Sequence, residues 1–143
     1  MAAVIRLIPW DRDAERGLAR AAGDALADIR DQVERGIAQL WECENELHHA
    51  YCVTRLERYS AGTEWCIVLF EGRGVREFLP FFVRAAAERG ITVRIHVQGL
   101  ARVRIARSLG FTLREYVLEV THGRRQQQSI DQHDQQEHHH QQC

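Results

Sequence analysis

The chain has 143 residues and a mass of 16.6 kDa, a size that closes around one core rather than two. Its 45% apolar and 27% charged residues exclude a wholly disordered chain, a collagen-like repeat and a disulfide-dense miniprotein, and no apolar run approaches the roughly 20 residues of a bilayer crossing. The formal charge of −1 sets 19 arginines against 20 acids without a single lysine: 8 Arg and 12 acids in residues 1–70, 11 Arg and 5 acids in 71–125, and three acids in 126–143.

The opening, Met1 to Trp10, meets charge too early for a secretory leader, so synthesis in the cytoplasm is expected. Cys43, Cys52, Cys66 and Cys143 then read as buried thiols. Val4-Ile5-Arg6-Leu7-Ile8 is a short β-branched run ended by Pro9, which predicts a first strand. Leu18, Ala22, Leu26, Ile29, Val33, Ile37 and Leu40 recur at three- and four-residue steps, the period of a helix with one apolar face. Gly23 followed by Asp24, a good N-cap, predicts two consecutive helices. Two strands joined around Asn45-Glu46 follow, over Trp41–Glu44 and His48–Leu56. After a turn at Ser60–Thr63, the continuously apolar Trp65–Phe70 predicts a strand covered on both faces.

Glu71-Gly72-Arg73-Gly74 forms a loop. Val75, Phe78, Leu79, Phe82, Val83 and Ala86 continue at helical spacing, with Pro80 tolerable if it lies in the first turn, where no amide partner is lost. Gly90 ends that helix, and Ile91–Val97 alternates as a strand. Leu100, Val103, Ala106 and Leu109 mark a short helix with Gly110 at C′, and 111–120 supplies a closing strand or pair of strands. This order predicts a mixed three-layer α/β domain rather than a doubly wound nucleotide fold.

The central block, at +6 over residues 71–125, suits an anionic ligand or an acidic protein face, because the guanidinium fork matches phosphate and carboxylate. The chain as a whole is not basic enough for a nucleic-acid binder. Arg102, Arg104 and Arg107 have no acid between them, a repulsion that a partner carboxylate or phosphate relieves. Cys43, His48, His49 and Cys52 are four zinc-capable side chains without paired zinc spacing, so no metal site is expected. From residue 123 onward the chain is Gln- and His-rich with one aliphatic residue. Contacts with a neighbouring subunit are the expected means of ordering such a tail.

The segment from Trp65 to Val120 resembles the second half of the GCN5-related N-acetyltransferase (GNAT) superfamily: apolar strand, Gly-rich turn, long helix, strand, then a helix ending in Leu-Gly-Phe, here Arg104-Ile105-Ala106-Arg107-Ser108-Leu109-Gly110-Phe111. With the first strand and helix pair, the likeness spans residues 3–120. It implies a GNAT-like domain over 1–122, a central mostly antiparallel sheet flanked by helices, with 123–143 as a polar tail. In that family a turn of pattern Gln/Arg-x-x-Gly-x-Gly/Ala cradles the coenzyme A pyrophosphate on bare amides at a helix N-terminus. Here the turn reads Glu71-Gly72-Arg73-Gly74-Val75-Arg76. Gly74 matches, Glu71 puts an acid where a neutral or basic residue is usual, and Arg76 occupies the close-approach position. A retained loop would bind acyl-CoA pyrophosphate through Arg73, Gly74, Val75 and Arg76.

The family's tyrosine general acid falls at Ala106 and its coenzyme-contacting Asn at Gly99. Glu64 is the nearby candidate base, with a surface acid flanking a strand as its plainer reading. Short GNAT-like proteins occur inside the virions of short-tailed phages, and this chain is similar to them in its trimmed domain, eroded loop and polar appendage. The resemblance therefore implies a non-catalytic structural or docking component of a larger assembly, a phage virion, with no cofactor and no membrane anchor. Other subunits, in a multi-copy particle, would meet Arg102, Arg104, Arg107, Arg124 and Arg125 and order the tail. The alternative is an N-acetyltransferase that uses acetyl-CoA on an amine substrate.

Overall fold

The computed structural model describes residues 2–96 and 100–112, which belong to two units, Met1–His96 and Val97–Cys143. In the first, β1 (Val4–Ile8) leads into α1 (Arg12–Ala22), a 3-10 turn (Gly23–Ala25) and α2 (Leu26–Glu34). β2 (Ala38–Glu44), β3 (His49–Tyr59) and β4 (Gly62–Gly72) follow, then α3 (Val75–Glu88) and β5 (Thr92–Ile95). The sheet order is β1-β2-β3-β4-β5. β1 to β4 are antiparallel neighbours and β5 lies parallel to β4. This is the mixed, mostly antiparallel architecture expected.

The core forms on both faces of the sheet. Asp11 caps α1 by accepting the Ala14 N–H at 2.7 Å, and the helix lays Ala14, Leu18 and Ala22 with Ile29 of α2 against Leu40, Tyr51 and Val53. Gly17 lets α1 approach, since a Cβ there would lie 2.7 Å from the Tyr51 ring. On the opposite face Phe82 of α3 stands 5.6 Å from the Trp41 ring and 5.7 Å from Trp65, centroid to centroid. The Trp41 indole N–H donates to the fully buried Thr54 hydroxyl at 2.8 Å, which donates to Gln39 Oε1 at 2.9 Å. These bonds satisfy the indole and the hydroxyl inside the apolar layer.

Three expectations are corrected. The helical period does not extend to Leu40. Gly36, at φ +75°, turns the chain as its N–H reaches Val33 O and the Ile37 N–H reaches Gln32 O, a Schellman cap that leaves Leu40 to β2. Asp24 caps nothing: it lies within the 3-10 turn, and α2 starts after Ala25 with no side-chain cap. Pro80 is the sixth residue of α3, not in its first turn, so the Arg76 carbonyl lacks the amide it would meet one turn later.

In the second unit α4 (Leu100–Ser108) ends in another Schellman cap: Gly110, at φ +96°, donates to Arg107 O, and Phe111 donates to Ala106 O. The Leu-Gly-Phe step is thus a helix stop, with Gly110 at the C′ position as expected. Residues 111 and 112 are not in a strand, and the rest of the expected closing segment (113–120), the tail over 123–143, Gly99, Arg124 and Arg125 lie outside the described residues.

Candidate functional site

Pairing between β4 and β5 runs only from Glu64↔Thr92 to Ile67↔Ile95. β4 continues to Gly72, and among the described residues Val68 to Gly72 have no partner strand on that side. The departure coincides with an irregularity in register: Val53 faces Leu69 while Thr54 faces Ile67, leaving Val68 as the extra residue of a β-bulge. The bulge resets the alternation, so Ile67 and Phe70 share the α3 side and Leu69 joins the core beneath α1.

The open edge leads into the Gly-rich loop. Gly72 sits at φ +130°, where a Cβ would come within 2.5 Å of the His49 carbonyl oxygen. Gly74 sits at φ +93°, where a Cβ would lie 2.8 Å from both His48 Cβ and Phe78 Cε2. Neither position accepts a side chain without displacing its neighbours. The Arg73 N–H donates to His49 O at 3.2 Å, so one of the amides expected to bind an anion is already engaged. The Glu77 and Phe78 amides both donate to Gly74 O at 2.9 Å. The Gly74, Val75 and Arg76 amides take no acceptor among the described residues. Those N–H groups and the helix dipole leave this end of α3 short of acceptors, and the Arg73 and Arg76 side chains stand there with Glu71 and Glu77.

The turn between β2 and β3 forms the wall beside it. Asn45 Oδ1 accepts the N–H groups of Leu47 and His48, both at 2.8 Å, fixing the turn, while Asn45 Nδ2 donates to Glu77 Oε2 at 2.5 Å. His48 Nε2 lies 3.5 Å from Glu77 Oε1, and His48 Nδ1 is buried without a hydrogen-bond partner. Sequence reasoning weighed His48 only as a zinc ligand and passed over Asn45 and Glu77 as site residues. The spacing of Glu77 three residues after Gly74 was the available signal, because that is the spacing of a helix-capping acid.

Glu64 is elsewhere. It lies near the start of β4, eight strand residues and roughly 26 Å of rise before Gly72, and its side chain is only 13% exposed, so it is not the surface acid of the plainer reading. Arg94 Nε lies 3.6 Å from Glu64 Oε2, and Arg94 Nη2 donates to Glu57 Oε2 at 2.5 Å and to the Tyr59 hydroxyl at 2.9 Å. Arg55 donates to the other Glu57 oxygen at 2.6 Å and to Gln32 of α2 at 2.8 Å. Burial pushes the Glu57 carboxyl up, but hydrogen bonds from Tyr59 and Arg55 and the two guanidinium charges outweigh it, holding the group below the usual carboxylate range.

Ala106 is nearly buried and offers no proton. Arg102, Arg104 and Arg107 are exposed on α4 and form no ion pair with a described residue. The four zinc-capable residues do not converge: Cys43 and Cys52 are buried and free, whereas His49 meets Glu42 at 3.0 Å and stacks edge-on with Tyr51. Burial raises the Cys43 thiol to about 12 and pushes Cys52 well above the usual thiol range. Cys66 is equally buried. No described helix is long and apolar enough to cross a membrane.

The fold is GNAT-like. A GCN5-related N-acetyltransferase from Ralstonia eutropha JMP134 superposes with a TM-score of 0.56 at 17% identity, over 85% of this chain and 100% of that one. A predicted acetyltransferase with acetyl-CoA from Clostridium acetobutylicum gives 0.53 at 15% identity, over 83% and 96%. The wild-type protein TTHA1254 from Thermus thermophilus gives 0.52 at 25% identity, over 82% and 96%. No protein-family model matches the chain, and no curated protein matches it significantly.

Proposed function

We propose that this chain binds an acyl-coenzyme A and transfers its acyl group to an amine. The observation that carries the reading is the β4 edge, open past Ile67, running into two glycines and a helix start whose first amides are unclaimed. The residues present fit a diphosphate. Gly72 and Gly74 let it reach the backbone, the Gly74, Val75 and Arg76 amides donate to it, and Arg73 and Arg76 offset its charge. The unpaired β4 groups from Val68 to Glu71 hydrogen-bond an extended, amide-bearing arm as an added strand would. Bound there, acyl-CoA would supply an acyl group activated as a thioester. With Glu64 held among arginines at the far end of β4, water would take the proton of the attacking amine as its nitrogen replaces sulfur on the acyl carbon, and with alanine at 106 water would also protonate the departing thiolate. The solved structures of the same fold named as acetyltransferases support the reading.

Titration calorimetry with acetyl-CoA tests it. The expected result is micromolar or tighter binding that Gly74→Glu abolishes while the fold, followed by circular dichroism, persists; an absence of heat with the unaltered chain overturns it. One observation favours a second reading, a non-catalytic docking component of a larger particle such as a phage virion. The position where the resembled family carries its tyrosine general acid holds Ala106, which has no proton to give. Acetyl-CoA binding without release of free thiol in the presence of amines would favour that reading. Under it, the exposed Arg102, Arg104 and Arg107 meet the partner subunit.

A further inference from the structure

Glu77 is the third residue of α3, three positions after Gly74. A carboxylate in this place ordinarily folds back to accept the N–H of the residue that precedes the helix, closing a capping box. Here it does not. Asn45 Nδ2 holds one of its oxygens at 2.5 Å, His48 Nε2 stands 3.5 Å from the other, and the Gly74 N–H takes no acceptor among the described residues. Gly74 itself has no side chain with which to cap. The holding group is rigid, since Asn45 Oδ1 is anchored by the Leu47 and His48 amides. His48 is pressed against Gly74, so its Cβ lies 2.8 Å from where a Gly74 Cβ would be.

We propose that Asn45 and His48 are positioning residues of the phosphate cradle: they hold Glu77 aside, so that the chain's own carboxylate does not cap α3 and compete with the incoming diphosphate. The competitive half of this proposal rests on the acyl-CoA reading; the restraint on Glu77 does not. An intramolecular carboxylate at the right spacing is present at high effective concentration, so a helix start that is to stay open to an external anion needs such a restraint.

Asn45→Asp separates the two jobs of Asn45. It keeps the oxygen that accepts the turn amides and removes the donor to Glu77; Asn45→Ser repeats the test without an added charge. In the full-length apo chain, amide hydrogen exchange should show the Gly74 N–H unprotected, protected in both variants as Glu77 folds back, and unprotected again when Glu77→Ala is added. Coenzyme A affinity, by calorimetry, should fall about tenfold in each variant, as loss of one charge-assisted contact would give, and recover to within about threefold in the double variants. A merely structural role for Asn45 predicts no recovery. Protection of Gly74 in the unaltered chain, or failure of Glu77→Ala to restore binding, overturns the proposal. Should the unaltered chain bind no coenzyme A, the acyl-CoA reading falls, and Gly74 exchange still decides the restraint.

Discussion

Glu57, Arg55, Arg94 and Tyr59 place two cations around one carboxylate, with Glu57 and both arginine side chains less than one-fifth exposed. A carboxylate whose folded value is held low stabilises the fold above the ordinary range and loses that contribution as pH falls through it, because the unfolded chain binds the proton more readily. Glu42 follows the same sign, lowered first by its hydrogen bond with His49 and then, against burial, by Arg6. The urea midpoint should therefore drop between about pH 5 and about pH 3. Glu57→Gln should begin lower at neutral pH and fall less across that window. An unchanged slope in the variant would show that Glu57 contributes nothing to acid sensitivity. None of this network was legible in the sequence. Glu57 and Arg94 are 37 positions apart, and only the register of β3, β4 and β5 brings them together.

At the scale of elements, periodicity located the helices and strands because each buries a face, and burial writes its own spacing into the chain. It misjudged their ends, which depend on backbone geometry. Gly36 stops α2 by adopting positive φ, a choice that the apolar spacing of Ile37 and Leu40 conceals. Pro80 is tolerated in the second turn of α3 for a tertiary reason: Phe78, Leu79 and Phe82 around it are fully buried, and their packing outweighs a lost hydrogen bond. Pro80→Ala should accordingly raise the unfolding free energy by on the order of 1–3 kcal/mol, measured by urea denaturation; a loss of stability would mean that the ring itself packs. The glycine cradle was readable as a motif. Its wall was not, since Asn45 meets Glu77 across 32 positions.

For the molecule as a whole, the feature with the widest reach is that the sheet runs β1-β2-β3-β4-β5, in chain order. β2, β3 and β4 form an uninterrupted meander, and β3 turns into β4 across only Ser60 and Ala61. β1, by contrast, must wait for a partner that ends at Glu44. Loop closure that spans few residues is fast and cheap in entropy, so the β3–β4 hairpin is placed to nucleate, with β1 zipping on late. In stopped-flow chevrons, Gly62→Ala at the hairpin's positive-φ corner (φ +137°) should slow refolding, whereas Ile5→Ala in β1 should chiefly speed unfolding. On a ribosome, the same order leaves β1 without its neighbour until Glu44 has emerged, so its edge stays unpaired throughout the synthesis of α1 and α2.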